Sequence, residues 1–158
     1  NRRGAQQCLE REYARLQRNK TSFSIAIADI DRFKSINDTL GHEQGDEVLK
    51  QISNLFTSRI RGQDILARWG GEEFMFIFPE TNEAEALKAL ELIRKKLNTT
   101  PLHINDVEMH VSSSFGVCEV NLTNTVAFAI KQADKALYHA KDTGRNKVSA
   151  FSSLENQS

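Results

Sequence analysis

Two glycines and two glutamates, Gly70-Gly71-Glu72-Glu73, stand between the apolar runs Ile65-Leu66-Ala67-Arg68-Trp69 and Phe74-Met75-Phe76-Ile77-Phe78. Apolar runs separated by Gly-Gly read as a β-hairpin with a tight turn. Glycine has no β-carbon, so an anionic ligand can approach the backbone there. Carboxylates beside such a turn offer oxygen donors to a divalent cation. A plain turn with two exposed acids is the alternative, and the upstream residues weigh against it. Phe23–Ala28 alternates large apolar with small residues, as in a strand covered on both faces, and it runs into Asp29-Ile30-Asp31. Carboxylates at the end of a buried strand are unfavourable unless exposed or paired with a cation.

If the first strand lies beside the hairpin, Asp29 and Glu72 meet at the turn. Such a pair suits Mg²⁺, and two ions about 4 Å apart would clamp the attacking and leaving oxygens of a phosphoryl transfer. A surface acid pair without metal is the alternative. Asn37 and Asp46 flank Gly41-His42 and Gly45. A carboxylate accepts the N1–H and N2–H of guanine together, and an amide serves the remaining groups of the purine. Helix caps and turn glycines would use the same residues, and His42 fits a turn. Lys141 and Arg145 flank Gly144, where cations either complement a helix C-terminus or bind β- and γ-phosphates. Arg61 and Asp64 enclose two residues; such a pair can grip a purine or be solvated loop charge.

The elements that must position these groups follow from periodicity. Helices are predicted over 5–18, 32–40, 45–60, 82–97 and 124–141, the fourth capped by Asn82. Strands are expected at 23–28, on the two hairpin runs, at 111–117 and at 147–151, with a small ribbon in 102–110 and a frayed tail over 152–158. The order predicts an α+β sandwich with a mainly antiparallel sheet and a ferredoxin-like β-α-β-β-α-β core.

The 158 residues fit one domain with no second unit or linker. Lys plus Arg and Asp plus Glu are 21 each, which argues against broad electrostatic binding to nucleic acid or to an anionic membrane. Cys8 and Cys118 lack metal-ligand spacing and read as reduced packing residues, in keeping with a cytoplasmic address. No apolar run approaches a membrane span. The opening Asn1-Arg2-Arg3 suggests a fragment of a longer chain, with 1–19 as a linking helix.

Together these residues resemble the GGDEF family, the diguanylate cyclases that make cyclic di-GMP from two GTP. The resemblance runs through Asn1-Arg2-Arg3, Asp29-Ile30-Asp31-Arg32-Phe33-Lys34, Asn37-Asp38, Gly41-His42, Gly45-Asp46, Arg68-Trp69-Gly70-Gly71-Glu72-Glu73-Phe74, Ala133-Asp134-Lys135-Ala136-Leu137-Tyr138, Ala140-Lys141 and Gly144-Arg145-Asn146. It implies the nucleotidyl-cyclase sandwich, with Asp29, Glu72 and the Ile30 carbonyl on Mg²⁺ (Mn²⁺ as alternative), two ions per site. Asn37 and Asp46 would bind guanine with His42 nearby. Phe33 and Lys34 backbone amides, and Lys141 and Arg145 side chains, would hold the phosphates over Gly70 and Gly71. Glu73 would assist in metal binding or in activating the 3′-hydroxyl.

The resemblance further implies a two-fold homodimer, a sensory or dimerising region N-terminal to this chain, and a full-length protein that can be membrane-anchored. It also implies product inhibition through Arg61 and Asp64. Leu92 stands where some members have a second arginine, with Lys88 and Arg94 as substitutes. A catalytically inactive module that senses cyclic di-GMP is the alternative function. An adenine-accepting cyclase is disfavoured by Asp46, and a generic two-metal nuclease leaves Asn37 and Asp46 unused.

Overall fold

Strand β1 (Phe23–Ile30) is buried along its whole length, and its alternate side chains enter different cores. Phe23, Ile25 and Ile27 point to one face of the sheet, and Ala26, Ala28 and Ile30 to the other, as the two-residue period of a strand requires. The structure is a computed structural model that describes residues 1–155. Before β1 comes α1 (Arg2–Asn19). After it come α2 (Phe33–Leu40), α3 (His42–Thr57), β2 (Ile65–Gly70), β3 (Glu73–Phe78), α4 (Glu83–Thr99), the ribbon β4 (Leu102–Ile104) and β5 (Val107–Met109), β6 (Ser113–Val120), α5 (Val126–Asp142), β7 (Val148–Ala150) and α6 (Phe151–Glu155).

The main sheet has the order β2-β3-β1-β6-β7. Its pairs are antiparallel except β6–β7, which is parallel. The first four strands reproduce the expected ferredoxin-like order, and helices cover both faces. Phe56 of α3 packs against Phe74 and Phe76 of β3 and Phe115 of β6, with ring centroids 5.2–6.0 Å apart. On that face α4 adds Ala86, Leu90, Ile93 and Leu97. The opposite face is closed by α1 and α5, through Leu9, Leu16, Ala129, Ala133 and Leu137 against Met75, Ile77 and Cys118.

Gly116 lets α5 lie directly on β6. A β-carbon there would stand 2.1 Å from the Ala133 carbonyl oxygen and 2.3 Å from the Leu137 nitrogen. Asn82 caps α4, as the sequence predicts, and Glu85 closes a reciprocal box with it.

Several boundaries differ from expectation. Helix α3 begins at His42, so Gly45 is a buried residue inside the helix and not a turn residue. Gly70 is the last residue of β2 and the turn is Gly71-Glu72, with a register shift between Arg68 and Gly70. Strand β6 continues to Val120. The closing strand stops at Ala150, because Phe151–Glu155 winds into α6 and packs Phe151 on Phe128 at 5.7 Å. The expected tail is therefore helical over 152–155, and residues 156–158 lie outside the described residues.

Candidate active site

The end of β1 and the β2–β3 turn come together as the strand order requires. Asp29 pairs with Glu73 across β1 and β3, and the Ile30 N–H donates to the Glu72 carbonyl at 3.3 Å. Asp29 has the same strand parity as Ile25 and Ile27, and Glu73 that of Met75 and Ile77. Both carboxylates therefore belong to the face covered by α5. Lys141, in the last turn of α5, sets its ammonium 2.5 Å from Asp29 Oδ2. Burial pushes the Asp29 carboxyl up; Lys141 pulls it back, and the charges of Glu72 and Asp31 add to the rise. Burial also raises Glu73, reinforced by Asp29 and Asp134.

On the other face, α2 and α3 form a cleft of about 450 Å³ lined by Phe33, Lys34, Asn37, Asp46, Leu49, Arg68, Gly71 and Glu72. Asn37 Oδ1 is the buried side-chain polar atom that lacks a hydrogen-bond partner among the described residues. Such an acceptor is unfavourable until a donor reaches it. Gly45 creates its place: a β-carbon at residue 45 would be 1.8 Å from that oxygen. Helix α2 enters from Arg32 with a left-handed φ of 56° and no side-chain cap. Its first backbone N–H groups, at Phe33 and Lys34, are thus uncapped donors in an anion-attracting position. A β-carbon at Gly70 or Gly71 would meet nothing within 4 Å, so the backbone there is open to a ligand.

Glu72 joins the two halves. It lines the cleft, and its charge acts on Asp29. Arg145 follows α5 in a left-handed conformation, φ 64°. His42 starts α3, is exposed and is not among the cleft residues. Arg68 and Gly45, which the sequence motifs contain without a stated binding role, also belong to the site. Arg68 donates to the Gly71 carbonyl and lies over Phe74. Its position directly before Trp69-Gly70-Gly71 was the available signal.

Carboxylate oxygens are the donors Mg²⁺ prefers, and Asp29, 6% exposed, meets the Lys141 ammonium through Oδ2. The donor set fits a hard divalent ion. Among the described residues no three His, Cys, Asp or Glu side chains cluster tightly enough to hold a metal by themselves, so a bound ion would draw further oxygens from water, backbone or ligand.

Arg61 and Asp64 lie elsewhere, at the far end of the hairpin, about 20 Å of strand from Gly71. Asp64 accepts the Arg61 backbone N–H at 2.8 Å and its guanidinium at 2.8–3.2 Å. Arg61 also donates to Thr81 Oγ1 at 2.8 Å and to the Pro79 carbonyl. Leu92 is 67% exposed. Arg94 is no substitute for a second free arginine: its side chain is 15% exposed and committed to Glu91 and Asn146.

The profile described as "Diguanylate cyclase, GGDEF domain" matches residues 1–147. The chain is 40% identical over 149 residues to diguanylate cyclase DosC of Escherichia coli strain K12, covering 94% of this chain and 32% of that protein. It is 36% identical to diguanylate cyclase DgcP of Pseudomonas aeruginosa, covering 94% and 22%. The chain thus spans a third or less of these relatives. Among solved structures it resembles the GGDEF domain of DgcB from Caulobacter crescentus in complex with c-di-GMP, with a TM-score of 0.91, 32% identity and coverage of 96% and 91%. The active GGEEF domain of a diguanylate cyclase from Vibrio cholerae gives 0.89, 34% identity and 96% of each chain. Among the described residues no helix is long and apolar enough to cross a membrane.

Proposed function

The chain belongs to the GGDEF family of diguanylate cyclase domains, and on that premise we propose that it condenses two GTP into cyclic di-GMP with release of two pyrophosphates. The observation that carries this reading is the meeting at Glu72 of a cleft holding an unpartnered acceptor, Asn37 Oδ1, with the Asp29–Glu73 carboxylate pair. A purine with adjacent N–H donors satisfies Asn37 and Asp46 together, which selects guanine. His42, exposed at the start of α3 and outside the cleft lining, is assigned no contact with the base. The uncapped amides of Phe33 and Lys34 receive the phosphates. Gly70 and Gly71 leave room for the α-phosphate, and Lys141 and Arg145 bring cations from the α5 side.

Mg²⁺, held by Asp29, Glu72 and the Ile30 carbonyl, would neutralise charge on the phosphates when bound; Mn²⁺ suits the same donors, and two ions per site are proposed. Each condensation forms a bond between one nucleotide's 3′-oxygen and the α-phosphorus of the other. The α–β phosphoanhydride bond breaks, and the 3′-proton leaves to a base. Glu73, with its raised proton affinity and its place opposite Asp29, is the group for that proton. One domain holds one nucleotide, so two domains must face each other about a two-fold axis. Alignment of the two is worth up to about 7–11 kcal/mol. Arg61 and Asp64 would bind the product and slow the enzyme, at a distance from the chemistry.

Incubation with GTP and Mg²⁺ followed by separation of nucleotides tests the reading. Wild type yields cyclic di-GMP at an initial rate steeper than linear in protein concentration, and Glu72→Ala yields none. A wild-type domain that binds cyclic di-GMP but makes none at high concentration would overturn the activity in favour of a sensing module.

A further inference from the structure

Asp31, the second carboxylate of Asp29-Ile30-Asp31, does not join the site just described. It is 7% exposed, and both of its oxygens are committed to protein donors. Oδ2 accepts from Ser112 Oγ at 2.7 Å and from the Asn146 backbone N–H at 3.0 Å. Oδ1 accepts from Ser114 Oγ at 2.7 Å. The Asp31 N–H donates to the Ser112 carbonyl at 2.9 Å. The carboxylate thus ties the end of β1 to the start of β6 and to the segment between α5 and β7.

That segment has an unusual backbone. Arg145 and Asn146 are successive non-glycine residues in the left-handed region, φ 64° and 48°, and such conformations persist only where the surroundings hold them. Arg94 of α4 grips Asn146 from the other side, donating to its Oδ1 at 3.0 Å and its carbonyl at 3.4 Å. Arg94 is itself oriented by two bonds to Glu91, 3.0 and 3.1 Å. The Arg145 N–H donates to the Ala140 carbonyl at 2.9 Å. The Arg145 guanidinium, by contrast, has no hydrogen bond or ion pair among the described residues. Its backbone is fastened and its charge is uncommitted.

We propose that Asp31 and Arg94 are positioning residues that clamp Asn146 and so preset Arg145 for the polyphosphate of the bound nucleotide. The proposal rests on the reading of Arg145 as a phosphate contact. An arginine held in place before binding loses less freedom when it binds. Without the clamp, Arg145 still carries its charge but must be ordered by the ligand. Asp31 on this account is not a metal ligand, although it stands two residues from one.

The test is titration calorimetry with the α,β-methylene analogue of GTP in Mg²⁺, with thermal melts to confirm folding. Arg145→Ala is expected to weaken binding by about tenfold, the loss of a charge-assisted contact. Arg94→Ala, on a helix that does not line the substrate cleft, weakens it by roughly threefold to fivefold. In the Arg145→Ala background, Arg94→Ala adds less than about twofold, because the two act as one unit. Asp31→Asn keeps an acceptor for Asn146 and retains most of the affinity, whereas Asp31→Ala behaves as Arg94→Ala. The Mg²⁺ concentration needed for half-maximal binding does not move in Asp31→Asn. Fully multiplicative effects of Arg94→Ala and Arg145→Ala would overturn the clamp and leave Arg145 as a phosphate contact. Unchanged binding in Arg145→Ala would remove that contact and the clamp with it. A large shift in Mg²⁺ requirement in Asp31→Asn would make Asp31 a metal ligand instead.

Discussion

Asp29 and Glu73 face each other across the antiparallel β1–β3 ladder, where two like charges are mutually unfavourable. Lys141 answers Asp29 directly, and burial raises the Glu73 carboxyl, with Asp29 next. The folded chain therefore binds a proton at Glu73 more tightly than the unfolded chain does. Stability falls as pH rises from the ordinary value of 4.5 through the raised one, and then levels off. Glu73→Gln removes that penalty. In metal-free buffer its melting temperature should equal wild type near pH 4 and exceed it by on the order of 2 °C at neutral pH, while turnover falls by about 10²-fold or more. A pH-independent difference in melting temperature would contradict this account.

Gly45 and Asn37 give the second prediction. A methyl group at residue 45 cannot coexist with Asn37 Oδ1 at its present position. Gly45→Ala should displace the amide, raise KM for GTP by roughly tenfold and change kcat far less. It should also narrow the preference for GTP over ITP, which lacks the 2-amino group. The check is steady-state kinetics with both nucleotides. An equal loss on kcat and kcat/KM would place the damage at the reacting groups instead.

The same pair shows where sequence reading stops. Local signals were legible: the hairpin, the Asn82 cap, the doubly covered strand over 23–28, and the convergence of Asp29 with the Glu72 turn once strand order was set. The spacing starts a helix at Gly45, with a turn glycine as the alternative, whereas Gly45 lies inside α3. Its reason for being there is a neighbour on another helix. Lys141 meets Asp29 from α5, a helix that lies directly on Gly116 of β6, a packing fact that no short motif encodes. Asp31 joins Ser112, Ser114 and Asn146 across 81–115 residues of chain. The α6 turn depends on Phe151 finding Phe128.

The two thiols should differ sharply. Cys118 is buried in β6, and burial pushes it up to about 12. Only the thiolate reacts appreciably, so at pH 8 Ellman's reagent should titrate Cys8 in the native protein and both cysteines in guanidinium chloride. Two fast-reacting thiols in the native state would mean that β6 opens readily.

Arg61 carries two loads at once. Its guanidinium satisfies Asp64, whose side chain is 3% exposed, and bonds to Thr81. Yet the side chain is 51% exposed and so accessible to a ligand. Arg61→Ala should therefore raise cyclic di-GMP yield at long times through lost product inhibition. It should also lower the melting temperature by about 2–4 °C, because Asp64 is left with fewer partners. Leu92→Arg separates the two effects. On the exposed surface of α4 it should leave the melting temperature nearly unchanged and tighten inhibition, if the product at Arg61 reaches α4 or a second domain carrying it. The readout is product yield against time with added cyclic di-GMP. Identical progress curves for wild type, Arg61→Ala and Leu92→Arg would remove Arg61 from regulation and leave it as the anchor of the loop before β2.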